Sequence, residues 1–150
     1  MGSYSTSIDI EAPPDIVFSH LVRSEQMTAW MGQYADLDPR PGGKFVVDIN
    51  GSPIRGSYVE VDPPNKVVVT WGVAGSEDHP PGSSRVEITL TGHDRGTRVE
   101  LVHTDLPDER TAMHGAGWEH FLPRLALAST GPEPEPDSWA PWAAGGVNPR

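Results

Sequence analysis

Six histidines, three tyrosines and five tryptophans stand in a chain with no cysteine. That absence removes thiol nucleophiles, thiolate metal sites and disulfides together. His103 continues the alternation of Val99 and Leu101, so it points inward from the last strand. An inward imidazole either bonds a carbonyl or hydroxyl as a core group or touches a ligand. Tyr58 has the parity of Ile54 and Gly56; its hydroxyl either orients a ligand from inside or lies on the outer face. His103 and Tyr58 are the acid–base candidates, and they can act only if both reach one substrate position. No catalytic residue is assigned beyond these two, and the balance leans away from an enzyme. His114, one turn before Trp118, either reaches the interior or caps the exposed end of a stripe. His114 and His120 are six apart, which does not place both on one helical face, and Asp36-Leu37-Asp38 lacks the rest of a calcium loop. With no nucleophile elbow, phosphate loop or dinucleotide fingerprint either, neither a metal nor a cofactor is expected.

Trp30, Trp71 and Trp118 belong to three different predicted elements, and each joins a wide apolar surface to one donor. Core packing explains each one alone. Converging, they would wall a site for a flat ligand, with Tyr58, His103, His114 and Phe121 completing the expected contact set.

The elements that must position them follow from hydrophobic periodicity. Tyr4, Thr6, Ile8 and Ile10 share one strand face, and Ala12-Pro13-Pro14-Asp15 then opens a short helix through Leu21. Ser24 can cap a second short helix reaching Met31, which Gly32 ends. From Tyr34 to Thr104 the chain reads as strands and turns, with Asn50-Gly51 a hairpin signal and Val67 to Trp71 rich in branched residues. Gly72 to Gly82 reads as a loop, and Val86, Ile88 and Leu90 alternate after it. That makes about six sequentially paired strands. Pro107 begins a long last helix in which Trp118, Phe121, Leu122 and Leu125 fall at i, i+3, i+4 and i+7. The fold class is therefore α+β: a curved antiparallel sheet wrapped around one long helix, with two short helices after the first strand and room for a wedge-shaped cavity.

One hundred and fifty residues suit one domain, which can bury about 68–70% of its unfolded surface. Residues 1–130 carry that domain. Residues 131–150, with Pro-Glu-Pro-Glu-Pro-Asp, Trp139 and Trp142, read as a tail without periodicity. A net charge of −10 and only two lysines, Lys44 and Lys66, argue against nucleic acid and against an anionic membrane surface as partners. The first residues lack the basic-then-apolar pattern of a secretion signal and no run reaches spanning length, so a cytoplasmic address is expected.

Ile10-Glu11-Ala12-Pro13, Trp30-Met31-Gly32, Pro41-Gly42-Gly43-Lys44-Phe45, Asp62-Pro63-Pro64-Asn65-Lys66, Thr70-Trp71, the run Thr97 to His103 and Gly117-Trp118 occur in that order. Over roughly residues 3–129 this set resembles the SRPBCC (START/Bet v-like) superfamily, in the branch similar to the domain of the heat-shock-ATPase activator homologues. The resemblance implies a helix-grip fold with a hydrophobic cavity that holds lipids, sterols or polyketides in other members. It implies ligand binding by an intracellular carrier or sensor for a small hydrophobic or aromatic molecule. The alternatives are a cyclase or dehydratase of polyketide-like substrates, and a protein-interaction module resembling an ATPase-activating co-chaperone domain of the stress response.

Overall fold

The computed structural model describes residues 2–131. All of the expected tail beyond Gly131, Trp139 and Trp142 included, lies outside the described residues. β1 (Gly2–Ile10) leads through Pro13 into α1 (Pro14–Val22), where a proline in the first turn costs no hydrogen bond. α2 (Ser24–Met27) follows, then β2 (Tyr34–Leu37), β3 (Lys44–Ile49), β4 (Ser52–Asp62), β5 (Lys66–Val73), β6 (Ser84–His93), β7 (Gly96–Leu106) and α3 (Asp108–Thr130). The strands form one antiparallel sheet in the order β1-β7-β6-β5-β4-β3-β2, so β2 to β7 pair sequentially and β1 closes the far side against β7.

The sheet has seven strands where the periodicity predicts about six. The additional one is β2, four residues with an aspartate and no clean alternation, aligned because Tyr34 to Leu37 pair with Asp48 to Phe45 of β3. The second helix is also shorter than expected. It leaves α geometry after Met27, although Trp30 N–H still bonds Met27 O at 3.1 Å. Thr28 gives the reason: its hydroxyl donates back to the Glu25 carbonyl at 3.1 Å, competition that short polar side chains offer to helical bonds. Ser24 does not cap this helix; its oxygen accepts the Leu37 N–H at 3.1 Å and ties α2 to β2 instead.

α3 lies across the sheet with Trp118, Phe121, Leu122 and Leu125 buried, each contributing about 2 kcal/mol of hydrophobic stabilisation. It approaches β1 closely at Gly115, where a Cβ would stand 2.7 Å from Cε1 of Tyr4. This is the helix-grip arrangement, with a single core between sheet, α1 and α3.

Candidate functional site

Three layers bring the tryptophans together. Trp30 comes from the turn after α2, Trp71 from β5 and Trp118 from α3, and the rings of Trp71 and Trp118 are 5.2 Å apart at their centroids. With Leu21, Met27, Met31 and Phe45 they enclose an apolar cavity of about 20 Å³, roughly the room of one water molecule. The wedge between sheet and helix is thus filled largely by indoles where these residues meet, and this cavity is far smaller than a ligand. Phe121 is buried in the same core but does not line the cavity.

Each indole N–H has a different fate. Trp30 donates to the His20 carbonyl at 2.9 Å and Trp118 to His103 Nδ1 at 3.1 Å, whereas the buried Trp71 Nε1 has no partner. Tyr58 points inward, 1% exposed, and its hydroxyl donates to the Leu21 carbonyl at 2.9 Å. Burial raises its pKa far above the usual phenol value.

The imidazoles form a second cluster beside the tryptophans. Strand register starts it: Trp71 faces Ser84 and Val86 faces His103, so serine and histidine sit as neighbours on the inner face. The loop between β5 and β6 folds back over them, and Gly72 permits this because a side chain there would overlap the Pro80 carbonyl. That return delivers His79. The loop is pinned by Asp78, which accepts from Arg110 Nε at 2.8 Å and Nη2 at 3.0 Å, and by Ser76, whose oxygen accepts the His79 backbone N–H at 3.1 Å.

Donor accounting assigns every proton in the network. The Trp118 indole donates to His103 Nδ1, so neutral His103 carries its hydrogen on Nε2 and donates it to Ser84 Oγ at 2.9 Å. Ser84 spends its one hydrogen on the Trp71 carbonyl at 2.7 Å, so the His79 Nε2 contact at 2.8 Å is a donation from His79. His79 Nδ1 is left as a buried acceptor without a partner. His114 Nδ1–H donates to the Arg110 carbonyl at 3.1 Å, and its ring packs 5.0 Å from His79 and 5.3 Å from His103. Burial, reinforced by neighbouring positive charge, pushes His79 and His114 down to about 4, and burial pushes His103 down further. Hydrogen bonds from Arg110 hold the Asp78 carboxyl well below its ordinary range.

This arrangement limits the chemistry. Ser84 has no base to take its proton, because both imidazoles donate to it. His103 has both nitrogens committed, and the rings of Phe45 and Trp71 stand in line between it and Tyr58. Among the described residues, no group of His, Asp and Glu is placed to hold a metal ion, and no helix is long and apolar enough to cross a membrane. The structure brings Trp30, Trp71 and Trp118 to the cavity and His103 and His114 to the imidazole cluster beside it.

Sequence reasoning missed His79, Ser84, Asp78 and Arg110. Ser84 was within reach, since it extends the inward parity of Val86, Ile88 and Leu90 by one step. The others depend on how a loop folds back.

Residues 11–129 match the family model described as Activator of Hsp90 ATPase homolog 1-like protein. The chain belongs to that family. An AHSA1-like protein from Rhizobium etli is similar at 38% identity and a TM-score of 0.74, over 93% of this chain and 88% of that one. CalU16 from Micromonospora echinospora is similar at 26% identity and a TM-score of 0.70, over 85% and 76%. DynU16, a putative protein in the dynemicin biosynthetic locus, shares the fold at 21% identity and a TM-score of 0.75, over 97% of this chain and 59% of its own. No curated protein matches the chain. The AHSA1-like fold is in general a ligand-binding one.

Proposed function

We propose that this AHSA1-like chain binds one small, flat, hydrophobic molecule between sheet and α3, as a carrier or sensor and not as an enzyme. The observation that carries the reading is the tryptophan-ringed cavity and the nature of the wall contributed by α2 and the turn after it. Met27 and Met31 line it, and they belong to a four-residue helix and the turn that follows. Methionine side chains repack at little cost. The wall is tied to the rest by Leu37 N–H to Ser24 Oγ at 3.1 Å and by Arg124 Nε to the Trp30 carbonyl at 3.0 Å, among other contacts. Ligand pockets usually span several hundred Å³, so entry works by outward displacement of the two methionines. The place of DynU16 in a biosynthetic locus supports small-molecule binding. The enzymatic alternative asks Tyr58 and His103 to give up buried hydrogen bonds before any proton could move, which favours binding over catalysis.

The test is a titration with ethylbenzene followed by the methyl NMR signals of the methionines and of Ile8, Ala126 and Leu127. Saturable shifts of Met27 and Met31 are expected. An outer groove of about 770 Å³ runs between β1 and α3, lined by Ile8, Pro123, Ala126 and Leu127 among others. Shifts confined to that groove, or none that saturate, would overturn the proposal.

A further inference from the structure

The binding reading leaves open what distinguishes one hydrophobic molecule from another, and the hydrogen-bond ledger of the cavity wall supplies an answer that rests on that reading. Of the residues lining the cavity, three carry a polar hydrogen on the side chain: Trp30, Trp71 and Trp118. Trp30 and Trp118 donate to protein acceptors, and Trp71 Nε1–H is buried with no partner. Everything else on the wall is leucine, valine, isoleucine, methionine or phenylalanine. An unpaired buried N–H costs about 1–3 kcal/mol, so this lining residue carries one unmet demand, and the demand is for an acceptor.

Water meets it poorly. The cavity has room for one molecule, but a buried water is held by two to four polar partners and this apolar wall offers at most the one indole N–H. A ligand oxygen that only accepts suffers no such deficit. An added hydroxyl or amine donor would stay unpaired, and a carboxylate would enter a wall with no cation. We infer that Trp71 Nε1–H faces the cavity as the polar anchor of the site and selects uncharged ligands with an acceptor oxygen and no donor, such as ketones, quinones and esters, over hydrocarbons of the same shape.

Acetophenone and ethylbenzene, which differ by a carbonyl in place of a methylene, provide the test on the full chain. Both are expected to shift the Met27 and Met31 methyls, while acetophenone alone moves the Trp71 indole proton downfield. In Trp71→Phe the ratio of acetophenone to ethylbenzene dissociation constants is expected to rise about three- to tenfold, as loss of one neutral hydrogen bond implies. The ratio cancels the effect of the smaller ring on both probes. Binding of both probes with a silent Trp71 indole and an unchanged ratio would overturn this inference and leave the binding reading standing. Failure of both probes to bind would overturn the binding reading and this inference with it.

Discussion

Acid should unfold this protein in a window set by imidazoles that the fold holds neutral. His79 and His114 titrate near 4 in the fold instead of the ordinary 6.5. The unfolded chain therefore takes up protons that the native state refuses, and stability is full above about pH 6.5 and lost as pH falls toward 4. At pH 5 an unfolded imidazole is almost fully protonated and a native one almost neutral, a linkage loss of about 2 kcal/mol for each residue. The pair together loses about 4 kcal/mol between pH 7 and pH 5, which lowers Tm by about 8–16 °C for a chain of this length. His103, pushed down further, acts in the same direction. Asp78 does not interfere, because its stabilisation is lost only where free carboxylates protonate, near pH 4 and below. Urea unfolding followed by tryptophan fluorescence at pH 7, 6 and 5 measures the effect. His114→Gln should reduce the difference between pH 7 and pH 5 by about 2 kcal/mol, whatever it costs at pH 7. Equal stability at pH 7 and pH 5, or an unchanged difference in that variant, would refute the claim that the fold holds these imidazoles neutral.

Other substitutions test other links. Ser84→Ala leaves the Nε2–H groups of His79 and His103 without an acceptor and should cost about 2–4 kcal/mol in urea unfolding; a cost below 1 kcal/mol would show that the serine is not the hub. Gly115→Ala gains about 1 kcal/mol of helix propensity but sets a methyl 2.7 Å from the Tyr4 ring, so a net loss of about 1–2 kcal/mol and altered Tyr4 ring resonances are expected. A stabilised variant with unmoved Tyr4 signals would contradict that packing. Leu125→Ala, at a position with no exposure, should cost about 2–5 kcal/mol by thermal unfolding, and a smaller loss would mean that α3 is not gripped by the sheet.

How much of this was legible in advance depends on the range of the interaction. Alternation over two residues placed His103 and Leu101 on the inner face, and a period of 3.6 placed Trp118, Phe121, Leu122 and Leu125 on the buried side of α3, because these patterns are local. β2 was hidden because four residues cannot display a period, and it exists through pairing with β3. His79 was hidden more deeply. Its position requires the β5–β6 loop to lie back on Gly72 and the Asp78 carboxylate to find Arg110 on α3, 32 residues later. Neither event leaves a periodic trace.

The cavity was the least legible feature, for a reason of arithmetic. Its volume is a small difference between two large quantities, the space enclosed by the curved sheet and the summed volume of the side chains within it. Three indoles, Phe45 and two methionines reduce that difference to about 20 Å³, and the change from one methionine rotamer to another is of comparable size. A sequence in which Trp30, Trp71 and Trp118 are expected to converge therefore does not determine whether they enclose a ligand or each other. The same arithmetic makes the closed interior compatible with binding: a wall that nearly fills its space with flexible thioethers can also withdraw them. The unmet N–H of Trp71 differs in kind, because it is a count of donors and acceptors and not a difference of volumes. It persists whichever rotamers Met27 and Met31 adopt, provided that the Trp71 ring itself stays in place.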